Sequence, residues 1–355
     1  MLRTMPQSNY IQLYAVNAKP DSAFLLADGS VFFFASDTDK YVVKGKNLVV
    51  GATEIILNRI IEMDVGRMET AVTEHSSSVK KIPGDKFIES LKSYSFILNA
   101  CMVLAKQVSL TNDIIARNTQ SIQGDEKKLR EISIDYYRII TSLKKEFDKR
   151  RLPFLKELVT KYETSLIYKR GEAFGRSLEP ERIAAMPALK DRFRDIAPGE
   201  IICQEGTVGD EMYILHSGTI DVVIAGNKVA SIGDSGTIIG EMALLLGETR
   251  TATLKAKNNV VITGIRKSDL REIAEKDGKL FLSIAVSLAK KHYFNVEKIR
   301  SVNSMIIERE LDAHKDDEAK RMMELNKAKN ELGALKDDIS KLIDSKGADY
   351  LQCLI

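Results

Sequence analysis

The chain has 355 residues, enough for two or three domains, and its 44% hydrophobic and 29% charged residues are ordinary for a globular protein. A net charge of +3 is too small to argue for nucleic-acid binding. The three cysteines are far apart and the four histidines are scattered, so the sequence predicts neither a disulfide framework nor a metal site. It has no nucleophile elbow, P-loop or kinase signature, and we expect no enzyme, no catalytic residue and no cofactor.

Membrane and secretion signals are weak. The longest apolar run, 96–105, is too short to cross a bilayer and contains Asn99. The first residues lack the continuous apolar segment of a secretory signal. We therefore expect a cytoplasmic protein without a membrane partner.

The first 80 residues have the pattern of short β-strands. Runs rich in Val, Phe and Tyr at 31–34, 40–43 and 47–50 are separated by Ser-Asp-Thr-Asp and Lys-Gly-Lys segments, which predict turns. Residues 86–118 then follow a helical pattern.

Residues 105–170 have the pattern of a helical linker. Gly124 predicts a helix start, and Pro153 predicts a kink or a restart. The segment 171–177 predicts a loop before the next domain. The apolar side chains recur at steps of three and four residues, on one helix face: Leu129, Ile132, Tyr136, Ile139, Leu143 and Phe147.

The stretch 238–254 combines features that suit a nucleotide. Gly240 lets the backbone approach a ligand closely, and the residues after it can open a helix whose free N–H groups attract an anion. Arg250 adds a planar cation suited to a phosphate. Glu241 can accept hydrogen bonds from a sugar hydroxyl, and Thr251 can bond a phosphate or a base edge.

This stretch resembles the phosphate-binding cassette of the cyclic nucleotide-binding domain family, the type found in the catabolite activator and in regulatory subunits of cyclic-nucleotide-dependent kinases. The upstream glycines between 198 and 218 also follow the family pattern, and the resemblance covers roughly 178–300. It implies an α+β fold built on a β-roll, or jelly roll. The nucleotide-binding residues that it implies are Gly240, Glu241, Met242, Ala243, Arg250, Thr251 and Ala252.

The resemblance also implies a helix that closes over the base as a lid. The matching span is about 291–296, in which Lys291, Tyr293 and Asn295 are candidate lid residues; ordinary exposed helix residues are the alternative. We favour cAMP as the ligand. Relatives use a threonine after the arginine to contact guanine, so Thr251 keeps cGMP open.

The N-terminal third resembles a second, degenerate copy of the same fold. Residues 49–57 are similar to 238–246, and 69–72 are similar to 250–253. An unrelated β-rich domain is the alternative.

This alignment puts Glu69 at the position of the arginine, where a carboxylate would repel a phosphate. The spacing from Glu54 to Glu69 is 15 residues, against 9 from the later glutamate to its arginine. Arg59 or Arg67 could fold back and restore the charge. We nevertheless predict that this domain binds no cyclic nucleotide and serves as a structural or partner-binding surface.

The chain from 301 onward predicts a long helix with a heptad seam. We favour self-association through this seam over packing inside the chain, so a homo-oligomer is expected. The seam residues are Leu325, Ala328, Leu332, Leu335, Ile339 and Leu342.

Together these observations favour a cyclic nucleotide sensor for signal transduction. Ligand binding would move the C-terminal helix and so control an unknown protein partner. A scaffold that keeps the fold is the alternative. A transcription regulator is disfavoured, because 301–355 carries nine basic and twelve acidic residues and nucleic acid is also acidic. The domain scheme is 1–118 (degenerate copy), 119–177 (helical linker), 178–300 (binding domain) and 301–345 (long helix, coiled coil).

Overall fold

The computed structural model describes residues 9–75, 77–120, 124–175, 192–276, 278–312 and 318–355. Antiparallel sheets and long helices make it an α+β protein, which confirms the predicted class. It divides into two compact units. The first takes its described residues from Met1–Asn112 and Leu178–Val296, and the second from Asp113–Ser177 and Glu297–Ile355. The predicted domain boundaries stay predictions, and the start at 178 lies outside the described residues.

Within the first unit, the N-terminal half is one antiparallel sheet with flanking helices. Its strands are β1 (Tyr10–Tyr14), β2 (Ser22–Phe34), β3 (Lys40–Val50), β4 (Thr70–Glu74) and β5 (Val79–Pro83). They lie in the order β1-β4-β2-β3, and β5 pairs with the first half of β2. The helices are α1 (Ala52–Ile60), α2 (Gly84–Ser90) and α3 (Tyr94–Gln120).

Two predicted strands are one strand in the structure. The prediction of a turn at 44–46 was wrong, because β3 runs through Gly45, which pairs with Gly29 of β2. Both glycines have positive φ, 133° and 153°, where a side chain would be strained, so the hairpin passes this point without breaking.

The strands in the C-terminal half of the first unit are β6 (Phe193–Ile196), β7 (Ile201–Cys203), β8 (Glu211–Ser217), β9 (Ile220–Ile224), β10 (Asn227–Ile232), β11 (Ile238–Ile239), β12 (Thr253–Ala256) and β13 (Val260–Arg266). They form a sandwich of two four-stranded sheets, with the orders β10-β9-β12-β7 and β11-β8-β13-β6. Tyr213 and Leu215 of β8 pack into the cluster shared by the two sheets, whereas Met212 and Ile214 pack into the cluster formed with helices. Both faces of β8 are therefore buried.

The helices of this half complete the core of the first unit. They are α7 (Glu241–Leu246), a 3₁₀ turn (Lys267–Asp269), α8 (Leu270–Lys276) and α9 (Lys279–Asp312). One hydrophobic cluster joins α1 and α3 to α7, α8 and α9, so the two halves share a core. No single described helix is long and apolar enough to span a membrane; α2 and α3 meet the length and composition requirements only as a pair, and they meet at a bend of 111°.

The second unit is a helical bundle. It contains α4 (Gly124–Arg150), α5 (Pro153–Tyr162), α6 (Leu166–Gly175), α10 (Glu318–Lys346) and a 3₁₀ helix (Asp349–Leu354), with the ends of α3 and α9. The predicted starts at Gly124 and Pro153 are confirmed. The predicted loop at 171–177 was wrong for 171–175, which belong to α6. Gly171 lies there because a Cβ would collide with the backbone of Ser133 on α4.

The heptad seam packs inside the chain. Leu325, Ala328, Leu335 and Ile339 of α10 are buried in one cluster with α4, α5 and α6, and Leu332 and Leu342 pack partly buried against it. The assignment of this seam to self-association was therefore wrong, because the linker helices supply the apolar face that a second copy would have supplied. Residues 313–317 of the predicted long helix lie outside the described residues.

Candidate functional site

The predicted cassette forms a glycine turn that leads directly into a short helix. Gly240 has φ 81° and ψ 10°, a left-handed conformation, and α7 begins at the next residue. A Cβ on Gly240 would collide with the guanidinium of Arg250. Glycine is thus required both by the turn and by the close approach of the arginine.

The Arg250 guanidinium is buried, with 5% of the residue exposed, and both of its Nη atoms donate to backbone carbonyl groups. Its Nη1 donates to the Gly240 oxygen at 3.2 Å, and its Nη2 donates to the Glu211 oxygen. Among the described residues, its Nε is buried without a hydrogen-bond partner. The group lies 5.4 Å from the Tyr213 ring. Because carbonyl groups are neutral, the positive charge of the arginine is available to an anion.

A second loop fixes the backbone of Arg250. Its N–H donates to the Thr207 oxygen at 2.7 Å, and its oxygen accepts from the Gly206 N–H at 2.8 Å. Gly209 continues this loop against α7, where a Cβ would collide with Ala243. The upstream glycines therefore position the arginine from outside the cassette.

Glu241, the first residue of α7, is 2% exposed. Its Oε1 forms an ion pair with Nζ of Lys291, whose side chain is 41% exposed. The site thus has two neighbouring centres, a guanidinium held by carbonyl groups and a carboxylate held by an ammonium.

The other predicted residues are divided between the site and the surrounding core. Tyr293 of the predicted lid packs partly buried against the hydrophobic cluster. The Asn295 amide donates to Oγ1 of Thr111 at 3.0 Å and to the Val108 oxygen at 3.3 Å, so it bonds α3. Within the cassette, Met242, Ala243 and Ala252 are half-buried, and Thr251 is exposed.

The N-terminal half contains a second glycine–arginine pair. Gly51, before α1, has φ 77° and ψ 26°, and its oxygen accepts from Nη1 of Arg67 at 2.8 Å. The placement of Glu69 at the arginine position was wrong: Arg67 folds back and bonds the glycine as Arg250 does. However, Nη1 of Arg67 also donates to Oε2 of Glu54 at 2.8 Å, and both residues are buried, at 1% and 2% exposed.

Glu69 instead belongs to a buried network with α9. Its Oε2 accepts from the Tyr41 hydroxyl at 2.8 Å and lies 3.2 Å from Nε2 of His292. Burial, followed by the Glu69 carboxylate, raises the pKa of Tyr41 well above its usual value, so the phenol keeps its proton. Nδ1 of His292 lies 2.8 Å from Oγ1 of Thr53. Donors and acceptors match when Nε2 carries the proton and Nδ1 accepts from Thr53.

Sequence reasoning missed the partners rather than the cassette. Glu211 contributes only its backbone oxygen, which carries no residue-type signal. The role of His292 in the network has no local motif either. Its position next to the predicted lid residue Lys291 was the one available signal.

Comparison with known proteins agrees with this geometry. Residues 193–277 match the family model of the cyclic nucleotide-binding domain, so the chain contains such a domain. A stretch of 98 residues, 28% of this chain, is 32% identical to potassium/sodium hyperpolarization-activated cyclic nucleotide-gated channel 4 of Oryctolagus cuniculus. The match spans 8% of the channel's length.

Two solved structures are similar to a comparable part of the chain. The cyclic nucleotide-binding-like protein from Brucella abortus bv. 1 str. 9-941 is 30% identical, covering 23% of this chain and 74% of its own, with a TM-score of 0.22. A protein from a cyclic-GMP-dependent signalling pathway that regulates bacterial phytopathogenesis is 28% identical, covering 26% and 77%, with a TM-score of 0.24.

Proposed function

We propose that this protein is a cyclic nucleotide sensor that binds one ligand per chain, in the C-terminal half of the first unit, and controls a protein partner. The observation that carries the proposal is the buried Arg250, whose Nη atoms bond backbone carbonyls and whose Nε has no partner among the described residues. A cyclic phosphate supplies the anionic oxygens that complete this group. We favour cAMP over cGMP as the ligand.

Charge supports assigning the ligand to this half alone. At Arg250 the glutamate of the cassette is neutralised by Lys291, so the guanidinium remains an uncompensated cation. At Arg67 the counter-charge is Glu54, at 2.8 Å and inside the protein. A phosphate there would have to displace a buried carboxylate, which has already made the favourable contact. The N-terminal half is therefore proposed as a structural or partner-binding surface.

The output would follow from the connection of the site to α9. Lys291 of this helix contacts Glu241, so a ligand that also uses Glu241 acts on α9 directly. The helix runs on to Asp312, and its later residues belong to the second unit. We propose that the partner reads this change, and that the protein has no catalytic activity of its own.

Calorimetric titration with cAMP and cGMP tests the proposal. Arg250→Ala should weaken binding by about 30- to several-thousand-fold, because losing one member of a buried charge pair costs about 2–5 kcal/mol. Arg271→Ala is the matched control: this arginine lies in the same half, is exposed and pairs with Glu275, so binding should not change. Equal affinity of Arg250→Ala and wild type would refute the assignment of the site to Arg250, whereas wild-type protein that binds neither nucleotide would leave a scaffold as the better interpretation.

A further inference from the structure

The ion pair between Lys291 and Glu241 places a cation on the group that would recognise the sugar. Glu241 is 2% exposed, so its carboxylate gains little from water and depends on protein partners. Nζ of Lys291 contacts its Oε1. A ribose hydroxyl that donates to Oε1 must therefore compete with an ammonium group that is already in place, and one that donates to Oε2 meets a carboxylate whose charge is already paired.

Lys291 is held in this position by its neighbours on α9. His292, 1% exposed, contacts Thr53 at 2.8 Å and Tyr41 at 2.9 Å through its two ring nitrogens. One turn further on, the Asn295 amide bonds Oγ1 of Thr111 at 3.0 Å. Because the helix is anchored immediately after Lys291, the backbone of this residue is already fixed when its side chain reaches Glu241.

The strength of the competition depends on the burial of the two groups. The Lys291 side chain is 41% exposed and the Glu241 side chain is 3% exposed. Ion pairs between exposed groups stabilise a protein little, whereas hydrogen bonds to a buried charge stabilise it more. With one exposed and one buried member, the pair of Lys291 and Glu241 should have a strength between these two classes. A hydroxyl donor must offset that contact, and a ligand without the hydroxyl does not need to disturb it.

We propose that Lys291 is a specificity-determining residue that lowers the preference of the site for ribose over 2′-deoxyribose ligands. This inference rests on the proposed function, since it concerns the same site. Lys291 acts by neutralising the carboxylate that would accept from the 2′-hydroxyl, which weakens it as an acceptor, and not by contacting the base as a lid.

The test measures the dissociation constants of cAMP and 2′-deoxy-cAMP by calorimetry. In Lys291→Gln, the affinity for cAMP should rise about three- to tenfold relative to that for 2′-deoxy-cAMP, because only the ribose gains a freed acceptor. Lys291→Arg should keep the wild-type ratio. Lys86→Gln, which removes an exposed lysine of α2, is the matched control and should change neither constant.

A second background isolates the mechanism. With Glu241→Gln present, Lys291→Gln should no longer change the ratio, because the contested charge is gone. Equal weakening of both ligands by Lys291→Gln would overturn the inference in favour of a lid contact, and an unchanged ratio would overturn it as well. Wild-type protein that binds neither ligand would refute the proposed function itself, whereas wild-type binding with an unchanged ratio refutes only the role of Lys291.

Discussion

The buried ion pair of Arg67 and Glu54 yields the sharpest stability prediction. Nη1 of Arg67 donates to Glu54 at 2.8 Å and to the Gly51 oxygen at 2.8 Å, and its Nη2 donates to the Ser22 oxygen. Arg67→Met leaves the Glu54 carboxylate buried without its cation, which costs about 3–5 kcal/mol. Two carbonyl oxygens also lose their donor, at about 1–3 kcal/mol each when no water replaces it.

Glu54→Met should be equally unfavourable alone but not in combination. In the wild-type background it leaves Arg67 as an uncompensated buried cation, so we again expect a loss of about 3–5 kcal/mol. In the Arg67→Met background it removes a carboxylate that has already lost its cation but still accepts from the Met68 N–H at 3.0 Å. The further loss should therefore be limited to the cost of that one bond, about 1–3 kcal/mol, which Glu54→Met also incurs in the wild-type background. The two changes should therefore couple by about 3–5 kcal/mol.

Urea unfolding of the wild type, both single variants and the double variant measures this coupling. In thermal scans, each kcal/mol corresponds to about 2–4 °C for a unit of this size. The exposed pair of Arg59 and Asp85, 3.3 Å apart, is the matched control and should couple by no more than about 1 kcal/mol. Additive losses in the buried pair would show that Arg67 and Glu54 do not neutralise each other.

Three further changes test the site and the bundle. Gly240→Ala should reduce cAMP affinity in calorimetry at least about tenfold more than Gly226→Ala does. Both glycines have positive φ, 81° and 79°, but only a Cβ on Gly240 would collide with a guanidinium. Equal effects of the two changes would contradict this collision. Ile339→Asp buries a charge, so it should lower the urea midpoint of the bundle by the equivalent of about 3 kcal/mol or more. The exposed Ala334→Asp is the control and should not lower it. A change in oligomeric mass without a loss of stability would show instead that the seam mediates self-association. Asp338 is bonded by a lysine and a tyrosine of α5, which hold its pKa at about 2, below its usual value. Its stabilisation is present above about pH 4 and is lost as the pH falls through about 2, so the difference in melting temperature between wild type and Asp338→Asn should shrink from pH 5 to pH 2.

The cassette could be predicted because its information is local. Gly240, Glu241 and Arg250 lie within eleven consecutive residues, and the turn, the helix start and the cation each have a residue-type signal. The α+β class followed from the family resemblance that these residues carry. The prediction of an apolar seam on α10 was also correct, but helical periodicity indicates only that one face of a helix is buried and not what covers it. An apolar face gains the same free energy against its own chain as against a second copy, so sequence alone could not choose the partner.

The N-terminal arginine was misplaced for a different reason. Arg67 follows Gly51 by 16 residues, whereas Arg250 follows Gly240 by 10. An alignment that keeps the strand pattern puts Glu69 in its place. What identifies Arg67 is the distance in space between its guanidinium and the Gly51 carbonyl group. A longer chain segment between the glycine and the arginine can give the same distance, so sequence spacing alone does not reveal it.

The two arginines differ in the position of one carboxylate on a helix. Glu241 is the first residue of α7, directly after the glycine, whereas Glu54 is the third residue of α1. Two positions rotate a side chain by about 200° around a helix, which is most of the way to the opposite face. Glu54 faces the arginine and neutralises it, while Glu241 contacts Lys291 and leaves Arg250 bonded to neutral carbonyl groups. The same turn and the same cation can thus become either an internal ion pair or a site for an anion, depending on where the glutamate enters the helix.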